Sequence, residues 1–236
     1  MVVGEIIHEK DVVIIGAGPA GYEAAFRAAK NGRDVTLIDR FRPGGECLHS
    51  GCIPSKLLAT AARKMHEKTP GITVTPEFWM GKWQEEKNSL IDTMEKGLKA
   101  RFKSNNIECV KGQASFLSDN RIGAEQGEKF EVWSFNHAIL ATGSRPIKPN
   151  FLSSSHPNIF PLEHLYTLSS LPNQLILFGS DYLTIEAAST FRALGVEVTI
   201  VTDQETILPE WDESIQRESM RLFKKQKVSL FTGVSD

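Results

Sequence analysis

Two of the chain's three cysteines, Cys47 and Cys52, stand five residues apart in Gly44-Gly-Glu-Cys-Leu-His-Ser-Gly-Cys-Ile-Pro-Ser-Lys56. Thiols this close can exchange a disulfide, bind a metal or simply pack. A regular α-helix separates positions i and i+5 by roughly 8–9 Å between Cα atoms. A disulfide needs less than about 7 Å. Gly51 relieves the conflict by permitting a distorted turn just before Cys52, and Pro54 then fits the first turn of a following helix. Cys52 would stand at that helix's N-terminus, where the dipole favours thiolate over thiol. Two buried, unpaired cysteines are the plain alternative. A metal site of Cys47, His49 and Cys52 is another, although it has no evident fourth ligand.

A second chemical feature precedes it. Gly16-Ala-Gly-Pro-Ala-Gly21 directly follows a strand-like run, Asp11-Val-Val-Ile-Ile15, and opens a helix expected over Pro19 to Lys30. In such a loop Gly16 permits the tight turn, Gly18 lets the backbone approach a pyrophosphate, and Gly21 allows close helix–strand packing. The helix N-terminus offers its N–H groups and positive dipole end to the phosphates. An acid ending the next strand should hold a ribose hydroxyl, and Asp39 lies about 20 residues on. A packing turn, with Asp39 as a surface residue or cap, is the alternative. Beside a dinucleotide, the cysteine pair suits electron exchange with a flavin.

The elements around these motifs alternate. The strand Asp34 to Asp39 completes a βαβ unit and implies a parallel sheet. Helices are expected from Ile53 to Lys68 and from about Trp83 to Lys103, with a loop at Pro70 to Pro76. Strand-like runs at 107–110, 114–116, 129–133 and 137–140 read as hairpin and sheet pieces, with Cys109 as an inert core thiol. A second strand–helix–strand pattern covers 174–178, 181–194 and 196–201, followed by a helix over 212–225 and a strand over 228–231. The expected fold is α/β: a Rossmann-like dinucleotide-binding domain over 1–150, a proline- and serine-rich linker over 151–172, and the beginning of a second, incomplete Rossmann-like domain over 173–236. At 236 residues, 41% hydrophobic, 24% charged and a net charge of −2, no basic excess exists to neutralise phosphates, so neither nucleic acid nor a membrane surface is an expected partner. No apolar run approaches the ~20 residues that span a bilayer. Sparse cysteines and the absence of a leader pattern suit the reducing cytoplasm.

With both motifs in view, the chain resembles the flavin-dependent pyridine nucleotide-disulfide oxidoreductases, most closely the dihydrolipoyl dehydrogenase type. The resemblance is carried by Met1-Val-Val-Gly4, Gly44-Gly45, Cys47-Leu48, Gly51-Cys52-Ile53-Pro54-Ser55-Lys56 and Ala141-Thr-Gly-Ser-Arg-Pro146. It implies FAD on the first glycine loop and a redox-active Cys47–Cys52 disulfide, with Cys47 exchanging with substrate and Cys52 facing the flavin. It further implies that Lys56 lies near the isoalloxazine and pairs with Glu186, and that Gly45, Ala141, Thr142, Gly143 and Ser144 pass close to FAD. A small thiol or disulfide such as lipoamide would be the substrate, and a 2-oxo-acid dehydrogenase complex the assembly. Glu46, His49 and Ser50 depart from the commonest residues of the motif, which loosens substrate identity more than cofactor identity.

The nicotinamide loop departs further. Gly179-Ser-Asp-Tyr-Leu-Thr-Ile-Glu186 has Asp181 and Thr184 where the second and third glycines would stand, and Thr202 where an acid is expected. A β-carbon and a carboxylate at Asp181 would crowd and repel a pyrophosphate, so impaired NAD binding is expected. Family members run on to the rest of the NAD domain, a returning FAD-binding segment and a dimerisation domain bearing a His–Glu dyad. A chain of this length would lack most of the family's homodimer interface. His8, His66, His137, His156 and His164 carry no motif and read as surface or structural residues. Two readings follow: an oxidoreductase, impaired toward NAD, or a non-catalytic flavin-binding remnant or subunit that keeps the fold without turnover.

Overall fold

A computed structural model of the chain describes residues 7–66, 76–127, 129–147 and 156–234, with side-chain surroundings for all of these except 65, 66 and 76–78. The Met1–Gly4 opening, most of the 70–76 loop and the His66 side chain lie outside that set. Two compact units form: one from Met1–Ile53 and Asn88–Ser155, the other from Pro54–Lys87 and His156–Asp236.

Along the chain, β1 (Ile7–Ile15), α1 (Pro19–Lys30) and β2 (Val35–Asp39) make the expected βαβ unit, and α2 (Gly45–His49), α3 (Cys52–His66) and α4 (Pro76–Ser104) follow. Then come β3 (Glu108–Lys111), β4 (Gln113–Ser118), β5 (Arg121–Gln126) and β6 (Lys129–Leu140). The first unit's sheet runs β3-β2-β1-β6-β5-β4. Its first four strands are mutually parallel, and β5 and β4 join as antiparallel neighbours. Val12 and Ile14 on one face of β1 pack with Phe26, Leu37, Leu98 and Phe102; Val13 on the other face packs with Ile38, Ile122 and Trp133. Burial on both faces explains why the strand reads as an unbroken apolar run.

Three expectations need correction. The runs at 129–133 and 137–140 are one twelve-residue strand, β6, because β1 pairs with it along its length, from Ile7↔Val132 to Ile15↔Leu140. The strand β5 went unanticipated: Arg121-Ile-Gly-Ala-Glu-Gln has little intrinsic strand preference, and its neighbours on both sides supply the pairing. Cys109 is exposed on β3 and not a core thiol, although desolvation by the surrounding protein still pushes its thiol up to about 11.

In the second unit, β7 (Gln174–Phe178), α5 (Tyr182–Ala193), β8 (Glu197–Val201), α6 (Glu213–Gln226) and β9 (Ser229–Phe231) repeat the pattern, with a parallel sheet in the order β7-β8-β9. Leu177, Val198 and Ile200 pack with Phe191 and Phe223, and Leu58, Ala62, Met80 and Trp83 complete that core. A 3-10 helix, Leu162–Thr167, buries Leu165 and Tyr166 inside the stretch expected to be a plain linker. Rossmann-like α/β architecture is thus present in both units.

Candidate functional site

The first glycine loop has the shape of an anion cradle. Gly18 caps α1 without a side chain, and no acid occupies the helix's first turn, so its leading N–H groups face outward with no internal acceptor. Gly16 adopts φ +106, and a β-carbon there would run into the Ala141 carbonyl. Gly21 lies so close to the Gly16 carbonyl that it too has no room for a β-carbon. Gly16→Ala is therefore expected to destabilise the unit by at least about 1–3 kcal/mol from backbone strain alone, read as a lower urea midpoint, with loss of whatever ligand the loop holds.

Asp39 ends β2 as expected. Its carboxylate accepts from the Ala17 N–H at 2.6 Å and the Phe41 N–H at 2.8 Å, so it also fixes the loop's own backbone. The Gly44 N–H donates to the Ala17 carbonyl at 2.8 Å, and Gly45 packs 3.8 Å from where a side chain on Gly18 would begin. The cysteine segment is thereby anchored directly on the glycine loop. Ala141 follows β6 beside the same loop, its N–H bonded to the Ile15 carbonyl at 2.8 Å. Thr142, Gly143 and Ser144 continue as exposed backbone.

No single helix carries both cysteines. Cys47 lies in α2, which ends at Ser50, and Cys52 begins α3. The break falls where the sequence places it, but Gly51 does not adopt a positive φ. Its N–H donates to the Glu46 carbonyl at 2.8 Å, and a β-carbon would sit only 3.2 Å from that oxygen. Close approach, not left-handed geometry, calls for glycine. The pair is present as two thiols joined by a hydrogen bond. Cys47 is half-buried and Cys52 exposed. Burial first, and then the hydrogen bond and charge of Cys52, push the Cys47 thiol up to about 11. His49 makes no such contact; its Nε2 lies 2.9 Å from the Pro43 carbonyl. Among the described residues no cluster could hold a metal.

A thiol raised in the folded state stabilises the fold fully below its ordinary value of 9.0 and loses that contribution as pH climbs through about 11. In the dithiol form, alkylation of Cys47 by iodoacetamide should stay slow at pH 8 and rise toward pH 11. In Cys52→Ala the midpoint should fall while staying above 9, since burial persists. Mass spectrometry of the modified peptide against pH measures both.

In the second unit, Lys56 on α3 and Glu186 on α5 meet at 2.5 Å between Nζ and Oε2, while Glu186 Oε1 is buried with no hydrogen-bond partner. The Tyr166 phenol is hydrogen-bonded with Ser55, and burial together with the nearby Glu186 charge pushes it up to about 12. Sequence reasoning missed Tyr166, since an isolated aromatic in a non-periodic stretch carries no signal. The second glycine loop is closed by its own side chains. Asp181 caps α5, its Oδ1 accepting from both the Thr184 N–H at 2.9 Å and the Thr184 hydroxyl at 2.8 Å. Thr202 is buried, its hydroxyl accepting from the Gln204 N–H at 3.1 Å.

The profile of the pyridine nucleotide-disulphide oxidoreductases matches residues 10–235. The chain belongs to that family. It is 37% identical over 242 residues to dihydrolipoyl dehydrogenase of Haloferax volcanii, a match that covers 99% of this chain and 50% of the relative. Identity is 35% over 241 residues to the Geobacillus stearothermophilus dihydrolipoyl dehydrogenase, again with 99% of this chain and 50% of the relative covered. Among solved structures, the HOCl-induced flavoprotein disulfide reductase RclA of Escherichia coli superposes with a TM-score of 0.85 at 25% identity, over 97% of this chain and 50% of that one. LpdA of Mycobacterium tuberculosis gives 0.84 at 25% identity, over 96% and 51%. The chain thus spans about half the length of the curated relatives it matches. No helix among the described residues of this family member is long and apolar enough to cross a membrane.

Proposed function

We propose that this chain contributes the flavin and dithiol parts of an FAD-dependent disulfide oxidoreductase of the dihydrolipoyl dehydrogenase type. The observation that carries the reading is the hydrogen bond from Gly44 to Ala17, which sets the cysteine segment on the loop that would hold the dinucleotide. Gly16, Gly18 and Gly21 with the open end of α1 would take the pyrophosphate. Asp39 would reach the ribose, and Gly45 with Ala141, Thr142, Gly143 and Ser144 would line the cofactor. The uncapped α1 terminus fits an anionic group. FAD, when bound, would supply the acceptor to which the reduced cysteine pair can pass its two electrons.

The chain's own residues handle the sulfur chemistry. A substrate thiolate attacks the Cys47 sulfur of a Cys47–Cys52 disulfide, forming a mixed disulfide and releasing Cys52 as thiolate. The second substrate thiol then attacks the substrate's own sulfur in the mixed disulfide, leaving Cys47 reduced and the substrate oxidised by two electrons, with the substrate's two protons passing to the two cysteine sulfurs as they return to thiols. Lys56, four residues after Cys52 along α3, is paired with Glu186. A small dithiol such as lipoamide is the substrate class, a 2-oxo-acid dehydrogenase complex the proposed assembly, and the cytoplasm the proposed compartment. Residues 1–150 would form the FAD domain and 173–236 an NAD-type domain whose nucleotide binding is impaired by Asp181, Thr184 and Thr202. The capped loop specifically favours a second reading, a flavin-binding protein without nicotinamide-driven turnover.

Reconstitution with FAD followed by anaerobic titration with dihydrolipoamide, then NADH, separates them. A long-wavelength thiolate-to-flavin absorbance upon dithiol addition is expected, with little response to NADH. Absence of any flavin signal with a dithiol would overturn the oxidoreductase reading.

A further inference from the structure

Between Asp39 and α2 the chain forms neither helix nor strand, yet its backbone is held closely. Asp39 Oδ1 accepts from the Phe41 N–H at 2.8 Å. His49 Nε2 lies 2.9 Å from the Pro43 carbonyl, which accepts from it. The Gly44 N–H donates to the Ala17 carbonyl at 2.8 Å. Gly44 is also the N-cap of α2, and a β-carbon on Gly45 would lie 2.6 Å from Gly18 Cα. Where this segment stands therefore decides where the helix bearing Cys47 begins on the first glycine loop.

Arg42, which belongs to neither sequence motif, ties the middle of the segment to α4. Its Nε lies 2.5 Å from Glu95 Oε2 and its Nη2 2.7 Å from Asp92 Oδ1. Asp92 and Glu95 are i and i+3 on α4, neighbours on one helix face whose like charges repel, and the guanidinium fork bridges them. Glu95 is 5% exposed, and its other oxygen holds Lys99 Nζ at 2.6 Å. Burial works to raise the Glu95 carboxyl, but Lys99 and Arg42 hold it below its ordinary value. A lone exposed ion pair is worth little; a forked arginine shared between two carboxylates, one of them buried, is a firmer anchor.

We propose that Arg42 is a positioning residue: bound to Asp92 and Glu95, it pins residues 40–44 to α4, keeps Gly44 on Ala17, and so sets the start of the cysteine-bearing helix against the glycine loop. The proposal rests on the flavin–dithiol reading for what that placement serves, but not for the placement itself. In Arg42→Gln the segment keeps the contacts at its ends and loses the anchor in its middle. The Gly44 N–H then parts from the Ala17 carbonyl more often, a local opening that leaves the sheet behind it intact.

Amide hydrogen exchange of the 15N-labelled full chain, followed by NMR without added FAD, is the test. Its failure counts against Arg42, whereas failure of the wild type to bind FAD counts against the flavin reading alone. In Arg42→Gln the Gly44 and Phe41 amides should exchange at least about tenfold faster, while those of Ile14 in β1 and Leu37 in β2 change by less than about threefold. Asp92→Asn combined with Glu95→Gln removes the same pairs from the other side and should reproduce that pattern. Arg42→Lys keeps the charge but not the fork, and should recover about half of the lost protection on a logarithmic scale. An unchanged Gly44 rate in Arg42→Gln overturns the proposal. So does a rise at Ile14 and Leu37 equal to that at Gly44, which would make Arg42 a contributor to general stability and nothing more. Should Arg42→Gln fail to fold, Arg42→Lys decides on the same amides: Gly44 is expected to exchange about threefold faster with Ile14 unmoved, and an unchanged Gly44 rate overturns the proposal.

Discussion

Replacing Asp181 and Thr184 together by glycine is expected to raise the affinity for NADH at least about tenfold, equivalent to ~1.4 kcal/mol. Two physical terms add up to that figure. The Asp181 carboxylate puts a negative charge at the end of α5 where a pyrophosphate would bring more. A like-charge contact near 5 Å costs about 3 kcal/mol at an effective dielectric of 20, and roughly 1 kcal/mol once solvent screens an exposed group. The same oxygen also accepts from the Thr184 N–H and hydroxyl, so removing it returns a helix terminus worth a further ~0.3–1 kcal/mol to an anion. The double variant should remain folded. Aspartate to glycine at an N-cap costs only a few tenths of a kcal/mol, and the loss of buried Thr184 about 1–2 kcal/mol more. Isothermal titration with NADH measures the change. Asp181→Asn separates the terms, because asparagine still caps the helix but carries no charge; an intermediate affinity is expected. Wild-type protein that binds NADH as tightly as the double variant would show that the self-capped loop opens without penalty.

The contrast between α1 and α5 gives that prediction its meaning. Both helices follow the first strand of a parallel βαβ unit, and both begin on a loop whose first glycine has positive φ, Gly16 at +106 and Gly179 at +145. At α1 the N-cap is Gly18 and the terminus carries no side-chain acceptor. At α5 the N-cap is Asp181 and the terminus carries its own. One architecture thus leaves a helix N-terminus without a side-chain cap at one loop and fills it from within at the other. The two loops need not share a ligand.

Much of this was readable from residue types. The unbroken apolar run at Val12 to Ile15 signalled a parallel strand buried on both faces, and α1 falls on the predicted residues. The pairing of Lys56 with Glu186 came from the family motif alone and meets at 2.5 Å. What escaped was set by tertiary partners. Arg121 to Gln126 becomes a strand because β4 and β6 flank it, not through its own preference. Tyr166 lies in a segment without periodicity, and its place is fixed by Gln84 and Lys87, about eighty residues earlier in the sequence. Gly51 was singled out for a distorted turn, and the break between α2 and α3 falls there, while the approach of the Glu46 carbonyl cannot be read from spacing. The second loop needed no structure to look unusual, yet only the geometry shows Asp181 and Thr184 acting together.

Converting Cys52 to serine is expected to abolish dithiol–disulfide cycling, lowering any disulfide reductase rate by at least about a thousandfold, or ~4 kcal/mol of barrier. Serine preserves size and the start of α3, so the fold should persist, but its hydroxyl forms no bond with the Cys47 sulfur. Cys47 could still attack a small disulfide once, and the resulting mixed disulfide would then have no neighbouring thiol to resolve it. Intact-mass spectrometry after exposure to a small symmetrical disulfide should find one more half-reagent adduct on Cys52→Ser than on wild type, whose Cys47 and Cys52 instead form their internal disulfide; the exposed Cys109 contributes equally to both. After reconstitution with FAD, a reductive titration should differ by the pair's own two-electron couple, present in the wild type and missing in the variant. Cys47→Ser tests the division of labour between the sulfurs. Cys52 is the more exposed of the two, so without Cys47 it should alkylate readily yet fail to turn over. A Cys52→Ser protein that neither retained the adduct nor lost turnover would mean that the two thiols, despite their shared hydrogen bond, do not act as one couple.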